Sequence, residues 1–239
     1  MPGEPLALTE ARLGFYGKLP AKGDFLGRRL PRSFIDAWDT WLQEGVGESR
    51  EAMGEAWLEA YLTSPLWRFV LSPGLCGPDA VAGVVMPSVD RVGRYFPLAL
   101  AMPVAECWTP VQLALANEAW FQRAEELALS TLDEGADFEA FDAAVGEIGA
   151  PDAAGETLAA RARDGACAVE IGGLDGLGER SPALLDAVIA ALVPRWSLWW
   201  TGGSDAVAPT FMVAAGLPPP HGFAALLDAG WERWGWTRP

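Results

Sequence analysis

The chain has 239 residues, 51% hydrophobic residue types, 12 tryptophans and a formal net charge of -15. This much apolar surface excludes a disordered chain, and the acidity excludes nucleic acid and anionic membrane surfaces as partners, since both need a basic footprint. No run of about 18 apolar residues is present, and the N-terminus has neither a basic start nor an apolar signal core, so a cytoplasmic protein without membrane insertion is expected.

Leu13 to Tyr16 reads as a strand, and GKLPAKGDF (Gly17 to Phe25) as a charged turn. A helix is expected from Pro31, with Ser33 as its cap and Asp36 as the returning partner, because Phe34, Trp38, Trp41 and Leu42 share one face. Gly45 or Gly47 should end it. Ser49 then caps a second helix carrying Met53, Trp57 and Tyr61, stopped at Ser64-Pro65 because a residue before proline avoids the helical region. Strands are expected over Leu66 to Leu71, Ala80 to Met86 and Tyr95 to Met102, the last two antiparallel across the charged elbow SVDRVGR.

Thr109, Pro110 and Gln112 give a cap, a first-turn proline and a capping partner for a helix reaching about Leu129 or Leu132. Asp133 to Asp164 is mostly small and acidic, with one amphipathic piece around Phe138, Phe141 and Val145. The boundary is placed there, dividing the chain into regions 1–135 and 136–239. Beyond it we expect a strand over Ala166 to Ile171, the loop GGLDGLGE and a helix opened by Ser181-Pro182. Strands over Trp196 to Thr201 and Thr210 to Ala214 follow, then a short helix over Phe223 to Leu227. The tail WERWGWTRP should fold back, because Trp231, Trp234 and Trp236 are worth about 1.5 to 3 kcal/mol each when buried. The fold class is α/β: a mixed, largely antiparallel sheet with helices packed on it, and a smaller α/β C-terminal part.

Charge is unevenly shared. Residues 1–100 hold 10 basic against 12 acidic residues, and residues 101–239 hold 7 against 20. The first region keeps its cations in the turns, and the second presents an acidic, solvated surface.

Reaction chemistry is hard to place. Gly17-Lys18 runs into Leu19, so no phosphate loop with a magnesium-binding hydroxyl exists, and no GxGxxG occurs. Cys76, Cys107 and Cys167 stand far apart and suggest buried thiols, not a disulfide framework or a zinc site. A single histidine makes a histidine-based metal site implausible. No cofactor is expected. The nearest approach to a serine hydrolase is a degenerate nucleophile elbow at Ser204 with His221 as base, and this is the alternative reading.

Recognition is the better fit. If the two charged turns meet, they form a mixed-charge patch anchored by Tyr16, Phe25 and Tyr95, residue types that supply binding energy at interfaces. The same residues could equally brace the turns, with Asp24 or Asp90 pairing internally to Arg91, Arg94 or Arg68. Candidates for partner contact or turn bracing are Lys18, Asp24, Arg28, Arg68, Ser88, Asp90, Arg91 and Arg94. Asp90 and Arg91 are expected to serve binding more than folding.

The motifs GFYGKLPAKGDF, WDTWL, PLWRFVLSPG and AGVVMPSVDRVGRYFPL, in this order and at these separations, resemble the type VI secretion-associated TagF (ImpM) family. The likeness is dense from about Leu13 to Pro103, and SLWWTGGS and GLPPPHGFAALLD are similar in style. The resemblance implies a longin-like sheet in the N-terminal part. It also implies a non-catalytic, post-translational repressor of type VI secretion in Gram-negative bacteria, acting by binding the FHA-domain scaffold of that system. Which surface meets the scaffold, and the oligomeric state, are not legible in the sequence.

Overall fold

The computed structural model describes residues 12–104, 109–152, 161–163, 166–168, 173 and 177–237. Seven strands form one sheet: β1 (Gly14–Gly17), β2 (Leu26–Arg28), β3 (Trp67–Leu71), β4 (Ala80–Met86), β5 (Leu98–Val104), β8 (Trp196–Thr201) and β9 (Thr210–Ala215). Their order is β2-β1-β5-β4-β3-β8-β9, with every pairing antiparallel. A separate two-stranded ribbon joins β6 (Arg161–Arg163) to β7 (Ala166–Ala168). The expected strand extension over 169–171 lies outside the described residues, as does Cys107.

Both faces of the sheet are covered. On one lie α1 (Arg32–Met53), α2 (Trp57–Thr63) and α7 (Ala225–Asp228); on the other, α3 (Pro110–Ala116), α4 (Glu118–Ser130), α5 (Phe138–Glu147) and α6 (Leu177–Leu192). Double coverage explains why β4 reads as an unbroken apolar run and β3 as one broken only by Arg68: every residue of both is buried. Side chains still alternate. Trp67, Phe69 and Leu71 enter the α1 face and Val70 the other, while Gly83, Ala99 and Ala101 keep the neighbouring strands low enough to admit Trp38, whose ring lies tilted 4.7 Å from that of Phe69.

Several element ends differ from expectation for identifiable reasons. Helix α1 runs through both glycines to Met53, and Ser33 makes no cap. Gly45 is a packing position: a Cβ there would lie 2.5 Å from the Phe223 ring. Ser49 caps nothing; its buried hydroxyl donates to the Val46 carbonyl and accepts from Trp57 Nε1. The helix opened by Thr109 breaks at Asn117, whose side chain donates to the carbonyls of Leu113 and Asp152. Its cap comes from Asp186 on α6, whose carboxylate accepts from the backbone N–H of Val111 (2.7 Å) and Gln112 (3.3 Å). Burial pushes that carboxyl up, against the pull of those N–H groups. Helix α6 begins at Leu177, before the expected Ser181, with Pro182 in its second turn, where it removes one backbone bond.

The tail does fold back. Trp231, Trp234 and Trp236 pack against the α1-side core, Trp236 donating to the Gly222 carbonyl and Trp234 to Asp228. The sheet also crosses the boundary expected at residue 135, since β8 and β9 continue it beyond β3. Cys76 is a buried free thiol, pushed up to about 12 by desolvation.

Gly45 makes a clean test of packing against propensity. Helix propensity alone predicts that Gly45→Ala stabilises by about 1 kcal/mol. The contact with Phe223 predicts net destabilisation, with overpacking costing about 1–3 kcal/mol. Urea unfolding of the variant, read for the sign of the midpoint shift, decides between them.

Candidate functional site

The strand β1 and the β4–β5 pair bring the two charged turns together. In the register Tyr16 faces Ala99 and Met86 faces Leu98, so the turn leaving β1 and the turn joining β4 to β5 emerge at one end of the sheet. Gly17 permits the approach: its φ is +142°, and a Cβ there would stand 2.2 Å from the Pro97 carbonyl oxygen.

Asp90 is the hub. Its Oδ1 accepts from the backbone N–H of Val92 (3.0 Å) and Arg94 (2.9 Å), and its Oδ2 accepts from Arg94 Nε (2.7 Å) and lies 3.1 Å from Lys18 Nζ. Burial on its own would push the carboxyl up, but the Arg94 N–H, the Arg94 guanidinium, Lys18 and the Val92 N–H outweigh it and hold Asp90 well below the usual carboxylate range. The turns are stitched further by Ser88 Oγ donating to the Lys18 carbonyl (2.7 Å) and the Arg91 N–H donating to the Lys22 carbonyl (3.0 Å). Arg94 Nη2 reaches the Gly23 carbonyl.

A residue the sequence reading did not assign to the site holds it from below. Tyr61 on α2 donates its hydroxyl to the Ser88 carbonyl (2.9 Å) and accepts from the Ser88 N–H (3.0 Å). Its distance in sequence from the turns hid it; only its buried helical position was legible.

The structure therefore sorts the candidates. Lys18, Ser88 and Asp90 are buried, and the Asp90 side chain has no exposed surface, so the bonds it makes hold the turn from within. Arg94 binds Asp90 yet keeps 54% of its side chain exposed. Asp24 is open to solvent and 3.9 Å from Arg94. Arg68 belongs elsewhere. It points from β3 to the α4 side, clamped by both oxygens of Glu125 (2.7 and 2.8 Å) and by Glu118 (2.6 Å), which it pulls below its ordinary value. Arg28 lies 3.9 Å from Asp142 on α5, whose nearer partner is Arg29 at 2.6 Å.

Of the expected aromatic anchors, Tyr16 donates its hydroxyl to Asp39 (2.7 Å) and Tyr95 packs on Trp57 and Tyr61. Phe25 stacks on Tyr16 and meets Phe96 edge-to-face yet stays 45% exposed, and Val92 is 65% exposed. The outer surface of the paired turns thus carries Asp24, Phe25, Arg91, Val92 and Arg94 above the Lys18–Asp90 pair.

Ser204 and His221 are not brought together. Ser204 sits in the β8–β9 loop, its Oγ accepting from the Ala206 N–H, and His221 lies in the 3-10 turn (Pro220–Gly222) beyond the other end of β9. Six strand residues separate those ends by about 17 Å. Among the described residues no cluster of three or more His, Cys, Asp or Glu could hold a metal, and no helix is long and apolar enough to cross a membrane.

The fold is an α/β sheet covered on both faces, and its assembled polar unit is a pair of turns held at one end by the Lys18–Asp90–Arg94 cluster. The sequence model described as the TagF N-terminal domain, type VI secretion system-associated, matches residues 14–148. The crystal structure of PA0076 from Pseudomonas aeruginosa PAO1 is similar over 95% of this chain and 97% of that one, at 40% identity and a TM-score of 0.79. No curated protein sequence matches. The chain belongs to the TagF family of type VI secretion system-associated proteins.

Proposed function

We propose that this protein is a non-catalytic, cytoplasmic regulator that represses type VI secretion by binding the FHA-domain scaffold of the system, and that the paired turns make the contact. The observation that carries the reading is the brace beneath Arg91 and Val92. A cluster of buried Lys18 and Asp90 with half-exposed Arg94 fixes two turns so that Arg91, Arg94, Phe25 and Val92 face outward from a chain of net charge -15. Preorganised Arg and aromatic groups contribute binding energy because little entropy is lost when they dock.

The double variant Arg91→Glu, Val92→Asp changes only exposed side chains and leaves the brace intact. Overproduced in the bacterium of origin, the wild type should suppress secretion of the system's tube protein into the medium, and the variant at equal abundance should not. Equal suppression by both would remove the turns from the mechanism.

A further inference from the structure

The open edge of the sheet carries a second surface. Strand β9 (Thr210–Ala215, TFMVAA) is the last strand, paired on one side with β8 and, among the described residues, with nothing on the other. Sheet edges in soluble proteins are ordinarily protected by charge, proline within the strand, bulges or brevity. This one has six residues without proline or charge, and no Asp, Glu, Lys or Arg occurs from Ala206 to Leu227. Phe211 faces Trp200 across β8 and Val213 faces Leu198, which sets both on the α4 side of the sheet, where they remain 46% and 36% exposed. The layer of helices stops short of them.

We propose that β9 is a dimerisation edge, pairing antiparallel with β9 of a second copy about a two-fold axis through Met212. Three observations select a second copy as the occupant. Directly opposed residues in an antiparallel pair must point to the same face, and a centre at Met212 satisfies this for the whole strand. It sets Phe211 against Val213 of the second copy and Val213 against its Phe211, closing two aromatic–aliphatic cross-strand pairs over each other. A second copy carries the same charge of -15, so two copies approach best along a strand without carboxylates of its own, and β9 with its flanks from Ala206 to Leu227 is such a stretch. The opposite edge cannot serve instead: β2 has three residues and ends in Arg28, beside the Arg29–Asp142 pair. The contact is therefore isologous and closes at two copies instead of growing into a fibre. One six-residue strand makes a small interface, so the dimer should depend on concentration.

The test is the mass of the full chain by sedimentation velocity over a wide concentration series, with Val213→Lys alongside. The wild type should move from 25.5 kDa towards twice that mass as it is concentrated. Val213→Lys, a charge on a partly exposed strand position, should stay at the monomer mass throughout with an unchanged melting temperature. Backbone hydrogen exchange over 210–215 should slow on concentration in the wild type only. A wild type that stays monomeric, a Val213→Lys protein that dimerises as well as wild type, or protection in the dilute monomer of those β9 amides that do not bond β8 would each overturn the proposal.

Discussion

Asp90→Ala will lower the melting temperature by about 10 °C, a loss on the scale seen when one partner of a buried ion pair is removed. The carboxylate satisfies four donors: two backbone N–H groups, the Arg94 Nε and the Lys18 ammonium. Its removal leaves Lys18, whose side chain is 6% exposed, charged and unpaired in the sheet end. The double variant Lys18→Met, Asp90→Ala should recover part of the loss, because the orphaned charge goes with its partner. The pH dependence follows from the same geometry. Asp90 is held below its unfolded value, so its contribution is complete above the ordinary carboxylate range of about 4 and declines as the pH falls from there towards its folded value. Acid unfolding of wild type and Asp90→Ala should therefore converge at low pH. Curves that run parallel down to strongly acid pH would mean that Asp90 does not act as an ionised brace.

A chain ended at Ile148 will not yield a soluble folded protein, although the family match ends there. Strand β8 lies between β3 and β9, and Trp199 on it is fully buried against Trp38, Trp41 and Phe69. The later segment also receives hydrogen bonds that earlier tryptophans need: Trp41 Nε1 donates to the Pro218 carbonyl and Trp67 Nε1 to that of Leu226. Truncation would expose the β3 edge and an aromatic face worth about 1.5–3 kcal/mol per side chain. The fragment should be aggregated on expression, and Trp199→Ala in the full chain should cost about 3–5 kcal/mol. A soluble fragment with a cooperative melt would show instead that the N-terminal part folds independently, as a division near residue 135 implies.

Much of this was legible in residue order. Strand β4 announced itself because both its faces are covered and its run is apolar throughout, and α2 stopped where Ser64-Pro65 required, while the three-residue β2 gave no such signal. Helix ends were less legible, because they depend on remote groups: Asp186 caps α3 from 75 residues away, and Gly45 serves Phe223 on a segment nearly 180 residues later. The meeting of the two turns was foreseeable from their charge and the strands that frame them. Which charge faced inward was not, since Lys18, Asp90, Arg91 and Arg94 suit a brace or an interface equally until the backbone places Asp90 under its own turn.

The most direct test of the central claim is calorimetric titration of the purified protein with the FHA-domain scaffold from its own secretion cluster. Wild type should bind, and Arg91→Glu, Val92→Asp should bind at least about tenfold more weakly at an unchanged melting temperature. Absence of wild-type binding would contradict the scaffold as partner; full affinity in the folded variant would contradict the paired turns as the contact.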